Sequence, residues 1–546
     1  MITSKRIGRL LLIVGLMFSL MMPVSSVLAE GPSDPAPVLQ PVGAPNGKTV
    51  LFDNAHGQTA GAADWVIDGA FSDFASALAK EGYHVKELRK KEPIALNDLE
   101  NADVFVIPEA NIPFKTSEQQ AMAQYVHNGG SIFFIADHYN ADRNKNRWDA
   151  SEVFNGYRRG AWQDPTAGMS AEERQSAAMQ NVSSSDWLAD NFGIRIRYNA
   201  LGDINSDYIV PSPQAFGITE NVKTVTMHAG STLAITDPAK AKGIVYIAAT
   251  NKAWPNAVDQ GVYNGGGLAE GPYVAVAKAG LGKAAVIGDS SPVEDSTPKY
   301  LREENGAAKK TYDGFYERDN DNLLVNIVNW LSVKESYTSL SQVPGLTLDQ
   351  PTALLAQESP QSSVEPKPEP WASPASGYKW WDSSTFKQGS YGYDSSSPGE
   401  PPTGDGEGFE SGSKGAYAAG TVTLDSGLWL FDNALIGDLP NDKKNGAKSA
   451  RIRAAGFIAM NDDVEGAESV TLQHANFGND TGAVWKLQKS TDGGSTWSDV
   501  GESYNSGASL ADKTIEVNET GAVRFKIVVA GVSGKRINID NFQINR

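Results

Sequence analysis

Cysteine is absent from the 546 residues. That excludes disulfides, thiolate metal sites and a lipidated cysteine. A secreted chain without disulfides points to a bacterial source and to cores of ordinary size. Histidine is scarce, with six residues, so imidazole chemistry has few places to sit. Cations are outnumbered, 47 Lys and Arg against 65 Asp and Glu, for a net charge of −18. Bulk charge therefore excludes adhesion to nucleic acid, and any such contact needs a local basic patch or metal ions. Beyond Met22 no apolar run reaches membrane-spanning length, so no integral membrane association is expected.

The one long apolar run lies at the start. Lys5, Arg6 and Arg9 precede Leu10 to Met22, and Val27-Leu28-Ala29 offers small residues for cleavage. Residues 1–29 read as a secretory signal peptide, and the mature form is expected to be secreted and extracellular. Residues 30–47 are rich in proline and small residues and read as an exposed linker.

From Lys48 the pattern is α/β. Thr49 to Phe52 and Asp103 to Ile107 read as strands. Phe71, Phe74 and Leu78 mark one helix, and Met122, Tyr125 and Val126 another, opened by a capping box at Thr116 to Gln119. Strand, helix and strand joined by short links predict a doubly wound parallel sheet over residues 48–333. Its centre is the stretch from Gly129 to Asn140. A Gly-Gly turn leads through Ile132, Phe133, Phe134 and Ile135, a strand buried on both faces, into Asp137, His138, Tyr139 and Asn140. Ligands of such sheets sit beyond the carboxyl ends of the strands, which places Asp137 and His138 at the mouth of a site.

The other strand ends contribute Asp53, Asn54, His56, Gln58, Glu109, Asn111 and Asp289. Carboxylates mixed with imidazoles suit a divalent metal (Mg, Mn, Ca or Zn) that activates water. The expected metal ligands are Asp53, His56, Asp137, His138 and Asp289, with Asp137 and His138 catalytic. Asp and Asn at these positions also serve as ordinary helix caps and turn formers. His84, His127, His228 and His474 read as structural or exposed. No G-x-S-x-G elbow surrounds Ser290, so it is not expected to be a nucleophile, and no P-loop lysine follows Asn264 to Gly267, so no phosphate cradle is expected there; no organic cofactor is expected. Residues 142–190 read as an insertion over the mouth. Its Arg143, Arg147, Arg158 and Arg159 are expected to bind an anionic substrate.

Residues 334–376 are rich in Pro, Ser, Gln and Glu and read as a second linker. Residues 377–546 alternate in short runs between Gly, Asn and Asp turns. They predict an all-β sandwich of jelly-roll type. Trp429 and Trp497 are expected to pack or brace hairpins, and Trp380-Trp381 to form an exposed platform.

The segments FDNAHGQ, FKTSEQQAMAQYVHNGGSIFFIADH, GKAAVIGDSSP and NLLVNIVNWL resemble the class I glutamine-amidotransferase-like superfamily. The branch is the one found in gliding-motility and intraflagellar-transport proteins. True amidotransferases carry a nucleophilic cysteine where this chain has Asp137-His138, so glutamine hydrolysis by that route is excluded. Asn433 to Gly437, KKNGAKSARIR, LQKSTDGGSTWSDVG and RINIDNFQI resemble β-sandwich modules appended to secreted bacterial nucleases. The expectation is a secreted, metal-assisted hydrolase of an extracellular phosphodiester or polysaccharide. The alternative is a non-catalytic binding protein for DNA, glycan or a partner protein.

Overall fold

The computed structural model describes residues 30–250, 254, 267–365, 369–393, 406–424 and 426–546. The expected signal peptide and most of the Asn264 to Gly267 loop lie outside them. The chain forms two units, divided between Tyr393 and Asp394.

In the first unit the strands are β1 (Val38–Leu39), β2 (Thr49–Asp53), β3 (His84–Leu88), β4 (Val104–Pro108) and β5 (Ser131–Ile135). Then come β6 (Ile194–Ile196), β7 (Ile204–Ser206), β8 (Tyr208–Ile209), β9 (Val225–Met227) and β10 (Leu233–Ile235). The last three are β11 (Ala241–Tyr246), β12 (Pro272–Ala279) and β13 (Gly282–Ile287). The main sheet has the order β1-β3-β2-β4-β5-β13-β12-β11-β8. Its middle, β3 to β13, is parallel. Its flanks are antiparallel, and β12 and β13 join as a hairpin across Gly280-Leu281. Gly280 takes φ +57 against the His127 ring, where a Cβ would sit 2.5 Å from Nδ1.

Alternate side chains of each central strand enter opposite cores, as the period of two requires. Val50, Phe52, Val106, Phe133 and Ile287 meet α1 (Ser72–Lys80) and the closing helix Asn320–Leu331. Leu51, Phe105, Ile107, Phe134 and Val286 meet α2 (Thr116–His127) and the insertion helices α3 (Ala150–Asn155) and α4 (Trp187–Phe192). The doubly wound α/β reading therefore holds. The expected helical faces are the buried ones.

Both linker expectations need correction. Val38–Leu39 pairs with β3, and Glu30 contacts Arg89 and Lys299, each at 2.8 Å. Residues 334–365 are lashed to the unit by main chain and charge. Leu340 N donates to Ala239 O (2.9 Å), Thr352 N to Ile235 O (2.8 Å), and Asp349 pairs with Lys242 (2.6 Å). Buried Arg197 grips Glu358 with two hydrogen bonds, 2.8 and 2.7 Å. Composition hides such a strap, because its anchors are polar. The boundary also moves from 376 to 393, since Tyr378 and Trp380 join the first unit's core. Trp380 is buried, and its Nε1 donates to Glu173 (2.7 Å), so it forms no exposed platform.

The second unit contains β14 (Gly406–Glu407), β15 (Gly420–Leu424), β16 (Gly427–Gly437), β17 (Ser449–Met460) and β18 (Val464–Asn476). It continues with β19 (Ala483–Ser490), β20 (Ser498–Asn505), β21 (Ala511–Gly531) and β22 (Arg536–Asn545). All pair antiparallel. The long strands β17 and β21 each pair on both sides around one apolar core, giving the expected sandwich. Trp429 is buried there, and Trp497 braces its hairpin through Nε1 to Gly494 O (3.0 Å).

Candidate functional site

At the carboxyl ends of β2, β4, β5 and β13 stand Asp53, Glu109, Asp137 and Asp289, all buried. They form two separate ion-pair centres.

The first centre is closed. His56 Nδ1 contacts Asp53 Oδ2 (2.7 Å), and Nε2 contacts Glu118 Oε1 (3.1 Å). Asp53 also accepts from Ala55 N (3.0 Å) and Gln58 Nε2 (3.0 Å). Glu118 accepts from Ile94 N and Lys115 N, each at 2.8 Å. Lys115 caps α2, so the cap lies one residue before the expected Thr116, and the capping glutamate doubles as the imidazole's partner. Burial alone would lower the His56 pKa. The Asp53 carboxylate, then Glu118, reverse that and raise it to about 10. The same imidazolium outweighs the burial of Glu118 and holds its pKa at about 2. His56 is thus an imidazolium with both nitrogens occupied, and neither it nor Asp53 is free to ligate a metal.

The second centre is buried too, but open in the sense that its hydrogen bonding is incomplete. Arg143, from the insertion, donates through Nε to Glu109 Oε1 (2.9 Å) and through Nη2 to Asp137 Oδ2. Trp65 lies beneath the guanidinium at 5.5 Å. Asp137 Oδ1 accepts from His138 N (2.6 Å). Glu109 Oε2 is buried with no hydrogen-bond donor. Burial pushes the Glu109 pKa well up. Arg143 opposes this, and the Asp137 carboxyl against which Glu109 lies adds to it. Asp289 accepts from Ser291 N (3.0 Å) and His228 N, and is pushed up by burial and then by Asp137. Glu294 accepts from Trp65 Nε1 (2.6 Å), Ser290 Oγ (2.9 Å) and Tyr312 N (2.6 Å), and is also raised by burial. One guanidinium therefore serves Glu109 and Asp137, while burial pushes the pKa values of Glu109, Asp289 and Glu294 up. Like carboxylates at contact cannot both ionise.

His138 turns away from this pair. Its Nδ1 contacts Tyr139 O (2.7 Å), its ring lies 4.5 Å from Trp254, and burial keeps it neutral by lowering its pKa. His228 is bracketed by Glu317 (2.9 Å) and Asp203 (3.4 Å) and stacks on Tyr312 at 3.9 Å.

The five expected metal ligands do not converge. Among the described residues, the only acids and imidazoles that bring three ligand atoms within 4.8 Å of one another are Glu152, Glu365 and Glu369. A cation already occupies the Asp137 side of the mouth in the form of Arg143. The donor set therefore does not fit the divalent metal expected there.

The four arginines expected to hold substrate face inward. Arg143 is described above. Arg147 pairs with Glu173 (2.9 Å), and Arg158 pairs with Glu369 (3.1 Å). Arg159 lies over the Tyr139 and Tyr198 rings at 5.1 and 5.9 Å. The alternation of Arg with Trp and Tyr marked a polar cover, and counter-charges remote in sequence turned its cations inward. Glu294 and Trp65 were missed because neither follows directly on a strand.

Fold and site together define a two-unit chain. A doubly wound α/β domain with a carboxyl–guanidinium centre at its strand mouth is followed by a β-sandwich. No family model matches the chain, and no curated protein matches it. Solved structures similar to the first unit include the mmIFT52 N-terminal domain. It is 12% identical and covers 53% of this chain and 100% of that one, with a TM-score of 0.33. A putative ThuA-like protein from Bacteroides uniformis is 13% identical, covering 54% and 94%, with a TM-score of 0.29. TmCBM61, solved with β-1,4-galactotriose, is 17% identical, covering 26% and 94%, with a TM-score of 0.19. These likenesses concern the path of the chain, and the chemistry rests on the residues described above.

Proposed function

We propose that the chain is an exported hydrolase of extracellular polysaccharide that works through the Glu109–Asp137 carboxyl pair. The observation that carries this reading is the donorless Glu109 Oε2 against Asp137, with one guanidinium serving both acids. Burial and the neighbouring Asp137 carboxyl make Glu109 hold its proton more tightly than an ordinary glutamate does. A carboxyl that holds its proton beside a second acid can serve as general acid and general base in hydrolysis. The two acids touch, so both act on one face of the sugar, where Asp137, beside Arg143, takes a proton from the water whose oxygen bonds to the anomeric carbon. Glu109 gives its proton to the departing glycosidic oxygen as the carbon–oxygen bond breaks. Proton exchange across the pair then restores the starting state. A glycan is favoured over a phosphodiester because the insertion's arginines have partners within the unit. Arg143, Arg147 and Arg158 are each taken up by an acid and are not left to hold phosphates.

The test is release of reducing ends from a polysaccharide panel. Glu109→Gln and Asp137→Asn are each expected to lose about 10²- to 10⁴-fold in rate, the usual worth of a general acid or base. Chelator is expected to leave the parent's rate unchanged. Cleavage by the variants at the parent's rate, or no cleavage of any polymer by the parent, would remove the reading. The second reading, a glycan-binding protein without catalysis, draws on the closed His56 centre and the inward arginines. Retention of a glycan by a parent that cleaves nothing would favour it.

A further inference from the structure

The segment Lys443 to Arg453 carries five cations and no acid in a chain of net charge −18. The sandwich folds it onto one surface. On β17, Ala450 and Ile452 point into the core, so Arg451 and Arg453 face away from it, Arg451 buried against Asp442 and Arg453 half-buried. On β22, Ile537 and Ile539 point inward, and Arg536 and Asn538 outward. The register sets Arg453 directly opposite Arg536, and Arg451 opposite Asn538. Like charges directly opposite on paired strands are destabilising, so this surface holds repulsion that the fold does not need.

The counter-charges are incomplete. Arg451 is gripped by Asp442 through Nε (2.7 Å) and Nη2. Arg536 meets Asp480 through Nε (2.7 Å), and Lys535 shares that acid at 3.6 Å. Arg453 has an amide in place of an acid. Its Nε and Nη2 both donate to Asn433 Oδ1, at 2.9 and 2.6 Å. No carboxylate pairs with it among the described residues. Lys443 stands on the adjoining loop, whose main chain donates to Asn538 Oδ1 (3.1 Å). The rings here are covered by cations. Arg453 lies 4.2 Å from the Tyr417 centroid, and Arg451 and Arg536 lie 4.5 and 4.1 Å from that of Phe477.

We propose that this outer face of β17 and β22 binds the carboxylates of an acidic polysaccharide, with Arg453 and Arg536 closing on one uronate. The choice of a glycan rests on the reading of the first unit. The choice of an acidic one rests on the arginine pair. Guanidinium forks match carboxylates in a bidentate manner. Single-stranded nucleic acid is disfavoured because its binders offer bare aromatic faces for base stacking, and here guanidiniums cover the rings.

The experiment is affinity electrophoresis of the full-length protein through gels holding polygalacturonate, neutral β-1,4-galactan or DNA. The parent is expected to be retarded by polygalacturonate, less so as salt rises, and not by galactan. Arg453→Gln and Arg536→Gln are each expected to weaken retardation at least about tenfold, with Arg453→Lys intermediate because it keeps charge and loses the fork. Thermal unfolding of each variant shows that it is folded. Should Arg453→Gln unfold, Lys443→Gln, at a half-buried loop position, is expected to weaken retardation about threefold. Equal retardation of folded variants and parent, or no retardation by polygalacturonate, overturns the proposal. So does DNA binding lost in the same variants without binding to polygalacturonate. Cleavage of neutral glycan with Arg453→Gln at the parent's rate would leave the catalytic reading standing alone.

Discussion

Two centres at the mouth of one sheet share a plan. Each sets a cation between two buried carboxylates from different elements: His56 between Asp53 and Glu118, and Arg143 between Glu109 and Asp137. In the first, both ring nitrogens have partners, and main-chain or amide N–H groups supply the acids' remaining contacts. In the second, one carboxylate oxygen has no donor, and further acids crowd in. A satisfied buried ion pair fixes geometry. An unsatisfied one holds a proton that can be moved. Residue type does not separate the two, but the completeness of the hydrogen bonding does.

The comparison breaks most directly by deleting each cation. His56→Leu strands Asp53 and Glu118, whose contacts are built for ionised acids. Removing one partner of a buried pair costs about 3–5 kcal/mol. Arg143→Met leaves Glu109, whose pKa is already pushed up and which can take up a proton in place of the lost cation, so the loss is expected to be smaller, about 1–3 kcal/mol. Chemical denaturation at pH 7 measures both. A larger loss for Arg143→Met would mean that the open centre is the structural one.

Their pH dependences sharpen the contrast at smaller amplitude. The His56 pKa is raised from 6.5 to about 10, so its contribution is full below 6.5 and is lost as pH rises through 10. The Glu118 pKa is lowered from 4.5 to about 2, so its contribution is full above 4.5 and is lost as pH falls through 2. The closed centre therefore stabilises fully only between 4.5 and 6.5. Glu109 runs the other way in acid. Its raised pKa means that the native state keeps a proton the unfolded chain would release, so its contribution declines as pH rises above 4.5. The stability difference between parent and His56→Leu, followed with pH, should form a plateau over 4.5–6.5 that declines on both sides. A difference independent of pH would mean that His56 is neutral in the fold.

Much of this scaffold is legible in the sequence. The runs through Ile132 to Ile135 and Val104 to Ile107, and the helical stripes at Phe71, Phe74 and Leu78, report burial directly. Burial is what builds a doubly wound sheet. The strand-end rule also placed Asp137, His138 and Asp289 at the mouth. It could not pair them, because hydrogen-bond partners lie far apart in sequence, as His56 and Glu118 do at 62 residues. The strap at 334–365 was hidden for the same reason. Its anchors, Glu358 on Arg197 and Asp349 on Lys242, are charged residues that composition assigns to solvent.

The smallest effect expected serves as the control for all of these. Arg174 and Asp164 form an ion pair within the same insertion at 3.4 Å, yet both side chains are about half exposed, 47% and 49%. Water screens that pair, and ordering two side chains offsets what attraction remains, so exposed pairs contribute about 0–1 kcal/mol. Arg158, sixteen residues earlier, is 7% exposed and faces Glu369 at 3.1 Å, where no water can replace a lost partner. Arg174→Ala should shift the denaturation midpoint by less than about 0.5 kcal/mol, and Arg158→Met by several times more. Raised salt should erase the first shift and leave the second, because screening acts on exposed charges and hardly on buried ones. Equal shifts for the two variants would mean that the insertion's inward arginines are no better sheltered than its surface. The inward turn of its charges, on which the choice of a glycan over a phosphodiester depends, would then lose its support.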